Sequence, residues 1–187
     1  MENNEDIRLI TEYLDGDEKS LEKLFSRYLK PVYYFVHSYV GDPAEAEDIT
    51  QATFIKAWKN LKKFKQEKKF KTWVLTIAKN TALDFLRKKK NSTFTELSDQ
   101  EEGGKVLELA VDLLPLPAEV FDRERLSEEV ESAISKLAPY YREVIQLYFM
   151  EQLNFREISE ILGEPLNTVK SRQHRALIEL RKILISS

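Results

Sequence analysis

From Phe70 to Lys90 the chain reads FKTWVLTIAKNTALDFLRKKK, a string that only a helix divides sensibly into an inside and an outside. On a helix, Phe70, Val74, Ile77, Ala78, Thr81 and Phe85 fall on one side, at the spacing of an amphipathic segment packed on a core. Trp73, Asn80 and Arg87 recur along the flank with Thr76 and Asp84 beside them, and the segment runs out into Arg87, Lys88, Lys89 and Lys90. The apolar side is structural. The flank is the candidate working surface.

A net charge of -3 argues against a nucleic-acid partner only if the charge is spread evenly, and it is not. Residues 56–90 hold thirteen Lys and Arg against two carboxylates, or +11, whereas residues 91–131 hold three against twelve, or -9. Segregation of this kind builds local fields that a whole-chain pI hides, and a basic stripe beside aromatics is the footprint of a nucleic-acid surface. The 187-residue chain has no cysteine, which excludes disulfides, thiolate zinc sites and thiol catalysis and suits a reducing compartment. No apolar run approaches the roughly 20 residues that span a bilayer. The start MENNEDIR lacks the basic and apolar blocks of a signal peptide, so a soluble, cytoplasmic protein with no direct membrane insertion is expected.

Ile7, Leu9, Ile10, Tyr13 and Leu14 predict a short opening helix, interrupted by Gly16 before Asp17 caps the next. From Leu21 through Leu24, Phe25, Tyr28, Leu29, Val32, Phe35, Val36 and Tyr39 helical spacing runs to Val40; Gly41 ends it, and Pro31 bends it or breaks it in two. Asp42-Pro43-Ala44-Glu45 is a strong helix start, with Asp as N-cap, Pro in the first position and Glu placed for a capping box. The helix that follows, to about Leu61, has Ile49, Ala52, Phe54, Ala57 and Trp58 as its apolar residues. Asp48, Gln51 and Ile55 project together from another side, either a solvated face with an incidental Ile or a docking face. Lys62 to Lys69, KKFKQEKK, reads as an exposed basic loop around Phe64. That ring either tucks into the domain or stacks on a base, an interaction worth about 1–3 kcal/mol in single-strand binders.

After Lys90 the string NSTFTELSDQEEGGKV is polar and acidic with Gly103-Gly104, marking a linker over residues 91–118. A flexible chain of those 28 residues spans roughly 30 Å. Leu107, Leu109, Val111, Leu113, Leu114 and Leu116 are apolar enough to dock somewhere. Val120, Phe121, Leu126, Val130, Ile134 and Leu137 then make one helix, and Pro139 starts another through Val144, Ile145, Leu147, Tyr148 and Phe149. In NFREISEILGEPLNTVKSRQHRALIELRKIL, Asn154 caps a short helix with Glu157 at its third position; Ile158, Ile161 and Leu162 face inward, and Gly163 supplies a left-handed turn. Pro165 restarts a helix with Val169, Ala176, Leu177, Leu180 and Leu184 on its buried side, completing a helix-turn-helix. Asn167, Lys170, Ser171, His174 and Arg175 stand exposed near its start, with Arg172 close by, and these residue types bond guanine, adenine and phosphate. His174 is no metal ligand: the only other histidine is His37, and no carboxylate cluster surrounds either, so neither metal nor cofactor is expected. The fold class is therefore all-α: two small helical domains, 1–90 and 119–187, joined by the acidic linker 91–118, the second domain carrying the helix-turn-helix.

Three motifs in this order, GDPAEAEDITQATFIKAW, FKTWVLTIAKNTALDFLRKKK and EISEILGEPLNTVKSRQHRALIELR, with the acidic linker between the second and third, carry a resemblance that covers nearly the whole chain. The chain resembles bacterial RNA polymerase sigma factors of the extracytoplasmic-function (sigma-70-like) group. The resemblance implies that the helix with Asp48, Gln51, Phe54 and Ile55 docks on the clamp coiled coil of core RNA polymerase. It implies that Phe64, Lys69, Trp73, Thr76, Asn80, Arg87 and Lys88 belong to the part that recognises and opens the minus-ten element of promoter DNA, with Asn80 at the family's characteristic Asn. Trp73, Thr76 and Asn80 would face the non-template strand while Lys56, Lys69, Arg87 and Lys88 neutralise phosphates. Asn167, Thr168, Lys170, Ser171, Arg172, His174 and Arg175 match the helix that reads the minus-35 element. The linker resembles the segment that threads through polymerase toward the RNA path, and an anti-sigma factor is the implied regulator.

Departures from the family pattern are Asn167 for a Gly, Gln173 for an aliphatic residue, Ala52 for a frequent Glu and Thr50 for a frequent Val. The expected function is promoter selection without catalysis and without a small-molecule substrate. The alternative is a two-domain helix-turn-helix activator that works only beside the housekeeping sigma factor. An enzyme acting on nucleic acid is disfavoured, because no convergent acids, no phosphate-cradling Gly-rich loop and few histidines are present.

Overall fold

Residues 2–92 and 128–185 are described by the computed structural model, and the regular structure among them is helical throughout. The chain separates into two units, Met1–Pro117 and Ala118–Ser187. The apolar positions expected between Leu107 and Leu126 lie outside the described residues.

In the first unit the helices are α1 (Glu2–Leu14), α2 (Glu18–Val40), α3 (Pro43–Asn60) and α4 (Phe70–Ser92), with a 3-10 turn at Leu61–Lys63. Local chemistry fixes their ends. The Asp17 carboxylate accepts from the Lys19 N–H, and the Asp42 carboxylate accepts from the Glu45 N–H at 2.9 Å behind Pro43. Gly41, at φ +74°, closes α2 in the left-handed conformation, its N–H donating to the His37 carbonyl at 2.8 Å. Pro31 does not break α2 in two. Its neighbours Tyr28, Leu29, Val32 and Tyr33 are all buried, and that packing outweighs the roughly 3 kcal/mol that an interior proline costs.

α2, α3 and α4 pack on one another, and α1 lies along α2. Their shared core holds Leu24, Tyr28, Val32 and Phe35 of α2, Ile49, Phe54 and Ala57 of α3, and Phe70, Val74, Leu75, Ala78 and Ala82 of α4. Tyr28 meets Phe70 with ring centroids 5.2 Å apart. α1 is held by polar bonds as well as by Leu9 and Ile10. Buried Asp6 accepts from the Tyr28 hydroxyl at 2.5 Å and from Arg27 at 2.7 Å, and Glu5 takes the other arm of Arg27 at 2.8 Å. Burial opposes the charge on Arg27, but the bond to Glu5 and the field of Asp6 outweigh it, and its pKa rises above the ordinary arginine value. The Trp58 indole N–H donates to the Tyr13 hydroxyl at 2.6 Å, tying α1 to α3.

The second unit contains α5 (Glu128–Ser135), α6 (Pro139–Ile145), a π-helical segment (Gln146–Met150), α7 (Phe155–Leu162) and α8 (Leu166–Ile185). Ordinary helical spacing places Phe149 with the core. Instead the wider π turn, closed by the Glu151 N–H on the Gln146 carbonyl at 3.0 Å, shifts the phase, and Phe149 is 45% exposed. Leu177 and Leu184 are likewise not buried. The inward stripe of α8 runs through Val169, Ala176, Leu180 and Ile183, and those two leucines sit one residue, about 100°, to its side. Three helices of seven or eight residues do not reach that flank.

Candidate nucleic-acid interface

The flank of α4 and the C-terminal turns of α3 enclose an open cleft of about 360 Å³. Lys56, Asn60 and Lys63 form one wall; Trp73, Ile77, Asn80 and Thr81 form the other. Lys56 and Asn60 lie on α3 and Lys63 on the 3-10 turn after it, while the other wall is one face of α4, and nothing in the spacing tells which faces meet. Lys56 and Thr81 are joined across the cleft by a 3.1 Å bond from the ammonium to the hydroxyl, and that hydroxyl donates back to the Ile77 carbonyl at 2.8 Å. The Asn60 amide is held by the Lys56 carbonyl at 2.9 Å. Asn80 is exposed on the rim and no described residue engages its amide. Thr76 spends its proton on the Thr72 carbonyl at 2.7 Å, so outward it offers only an acceptor.

Trp73 is half-buried, with ring centroids 5.2 Å from Phe64 and 5.5 Å from Phe70. Of the two readings of Phe64, a ring tucked into the domain or a base-stacking platform, the structure has the first. Phe64 is only 9% exposed and is the prop that holds the Trp73 ring, because burying it against two aromatics removes more apolar surface from water than a basic loop can leave bare. Around the cleft Lys62, Lys63, Lys65, Lys68 and Lys69 are exposed, as are Arg87, Lys88, Lys89 and Lys90 at the end of α4. Arg87 pairs with Asp84 at 3.0 Å, a solvent-screened contact weak enough to yield to a phosphate. Lys89 is bound to Glu45, which ties the end of α4 to the start of α3.

On α3, Asp48 is exposed while Gln51 and Ile55 are half-buried, and their spacing gives them one face. Phe54 does not share it. At 1% exposure, with its ring 4.8 Å from that of Phe25, it is a core residue, and no partner reaches it without unpacking α2 from α3.

The second unit builds its helix-turn-helix from local signals. Asn154 accepts from the Arg156 and Glu157 N–H groups at 3.0 and 3.1 Å, and Glu157 returns an oxygen to the Asn154 N–H at 2.8 Å. Gly163 turns at φ +63°, and the Pro165 carbonyl receives the Thr168 and Val169 N–H groups at 2.9 and 3.1 Å, starting α8. Asn167, Thr168, Lys170, Ser171, His174 and Arg175 are all exposed along its first turns. The Lys170 ammonium lies 5.9 Å over the Phe155 ring at the start of α7. Arg172 leaves this set: its side chain is 17% exposed and turns inward onto Glu143 and Glu164. The spacing Val169, Arg172, Ala176, which puts Arg172 on the buried stripe, is the signal that reveals it.

Among the described residues, no group of three or more His, Asp or Glu could hold a metal ion, and no helix is long and apolar enough to cross a membrane.

Comparison with known proteins adds the following. The family description "Sigma-70 region 2" matches residues 24–92 and "Sigma-70, region 4" matches residues 127–180. The chain is 35% identical over 171 residues to the ECF RNA polymerase sigma factor SigW of Bacillus subtilis, covering 90% of this chain and 91% of that one. In fold it is similar to the sigma factor RpoE of Bartonella quintana, solved with the anti-sigma factor NepR, at a TM-score of 0.65 and 23% identity over 89% of this chain and 97% of that one. It is also similar to CnrH, solved with the cytosolic domain of CnrY, at 0.66 and 22% over 98% and 99%. With two sigma-70 regions in order and 35% of the aligned residues shared with SigW over 90% of its length, the chain belongs to the extracytoplasmic-function RNA polymerase sigma factors.

Proposed function

We propose that this protein confers promoter selectivity on core RNA polymerase, docking through the Asp48, Gln51 and Ile55 face of α3, capturing the minus-ten strand in the α3/α4 cleft, and reading the minus-35 element with α8. It catalyses nothing itself and acts where polymerase acts, in the cytoplasm. The observation that carries the reading is the cleft. It sets an aromatic face (Trp73), an unengaged amide (Asn80) and two cations (Lys56, Lys63) around one cavity, at the foot of a run of exposed lysines.

Magnitudes support the mechanism. Unstacking a base-pair step costs about 1.4 kcal/mol, and stacking on an aromatic returns about 1–3 kcal/mol per base. Capture of one or two bases therefore offsets the first steps of opening, while the lysines hold the backbone with little sequence preference. On the second unit, Asn167, Ser171, His174 and Arg175 supply the donors and acceptors that base edges need, and Lys170 supplies a phosphate contact. An anti-sigma protein is the proposed regulator, as both solved structures of similar fold hold a partner.

Reconstituted transcription tests the reading. Core polymerase given this protein alone, on genomic fragments, is expected to yield discrete starts. A requirement for the housekeeping sigma factor would make the protein an activator instead.

A further inference from the structure

Arg172 occupies the middle of the segment whose neighbours face outward, yet it makes three contacts in the opposite direction. Nη1 lies 2.9 Å from Glu143 Oε1 on α6, and Nη2 lies 2.5 Å from Glu164 Oε2 in the turn. The guanidinium carbon stands 5.8 Å over the ring of Tyr140 at the start of α6. One guanidinium thus fastens α8 to the helix behind it and to the turn before it.

We propose that Arg172 is a positioning residue for promoter reading: it fixes the roll and height of α8 so that Asn167, Lys170, Ser171, His174 and Arg175 are presented together, and it does not itself touch DNA. The inference rests on the proposed reading of the minus-35 element by α8.

Two physical arguments carry it. The first is charge. The Arg172 charge faces two carboxylates, and they offset what it offers a phosphate. Withdrawing Arg172 toward DNA would break its 2.9 Å bond to Glu143, a buried carboxylate, which is unfavourable. The second is geometry. Val169 and Ala176 are fully buried, and Arg172 lies between them on the same stripe. Apolar contacts at Val169 and Ala176 are non-directional and leave small rotations of the helix open. A planar guanidinium that is hydrogen-bonded to Glu143 through one prong and ion-paired with Glu164 through the other closes them, and lysine, a point charge, cannot serve both carboxylates in that way.

The test uses the full-length protein with core polymerase on a promoter library randomised in the upstream element. The variants are Glu143→Gln, Arg172→Met, Arg172→Lys and the double variant Glu143→Gln with Arg172→Met. Thermal unfolding is recorded for each, and selections run at temperatures where all remain folded. Glu143→Gln removes no group able to approach DNA, yet it is expected to flatten base preference at several positions together, by about tenfold in discrimination. Arg172→Met should give the same pattern, Arg172→Lys a partial recovery, and the double variant no more loss than the worse single one.

Three results would overturn the assignment. One is an unchanged or sharpened preference in Glu143→Gln. Another is a loss in Arg172→Met confined to one base pair, with the salt slope falling by about one as for a direct contact. The third is a lower unfolding temperature with an intact preference profile, the mark of a merely structural pair. If Arg172→Met does not fold, Glu143→Gln and Arg172→Lys decide alone. A wild-type protein with no upstream preference removes the reading of α8 itself, and the assignment falls with it.

Discussion

Thr50 is fully buried in α3, and its hydroxyl finds no hydrogen-bond partner among the described residues. A valine has nearly the same shape without the unmet hydroxyl, whose desolvation costs about 1–3 kcal/mol. Thr50→Val is therefore expected to raise the unfolding free energy by about 1 kcal/mol, seen as a higher urea midpoint at unchanged slope. An unchanged or lower midpoint would mean that the hydroxyl is satisfied. Phe64 gives the opposite case. As a buried prop of Trp73, its replacement by Ala should cost about 3 kcal/mol of stability in the absence of any DNA. A variant of normal stability that fails only in promoter opening would restore Phe64 to the surface. The sequence shows Phe64 in a run of lysines, which leaves a tucked or a base-stacking ring open, and Arg172 in a run of polar residues, which sends it outward. What turns them inward, the faces of Trp73 and Phe70 in one case and Glu143 and Glu164 in the other, lies opposite them in space rather than beside them in the chain.

Helix ends were the most legible features, because each is settled within four residues. Asp17, Asp42 and Asn154 cap where their side chains can reach the next turn, and Gly41 and Gly163 take the left-handed conformation where a helix must stop. Asn154→Ala removes both amides' acceptor at the start of the helix-turn-helix, and a loss of about 1 kcal/mol is expected in the unfolding of the second unit. No loss would mean that the turn is held by tertiary contacts instead. The π-helical segment was not legible. Val144, Ile145, Leu147 and Tyr148 continue smoothly into Phe149 by sequence, whereas in the structure the turn is wider by one residue and holds Gln146 and Leu147 buried. Likewise α4 announces its faces only in outline, since Leu75 and Ala82 are buried where Ile77 and Phe85 are expected, and its meeting with Lys56 and Asn60 of α3 and Lys63 of the turn does not follow from periodicity, because pairing of helices is a property of the packed core.

At the scale of the molecule, a chain of net charge -3 carries +11 over residues 56–90, and the functional reading depends on that segregation. The lysines supply affinity that salt weakens, about 0.7 in logarithmic slope per single-strand phosphate contact, whereas the cleft supplies the discrimination. These two contributions can be separated. The claim at the centre of the account is that the Trp73 and Asn80 wall captures the opened strand, apart from any role in holding polymerase. The direct measurement compares wild type with Asn80→Ala, reading binding to core polymerase by titration and open-complex formation by permanganate reactivity of unpaired thymines in the minus-ten element. The account predicts unchanged polymerase affinity with at least a fivefold loss of opening, about 1 kcal/mol; equal losses in both, or in neither, would contradict it.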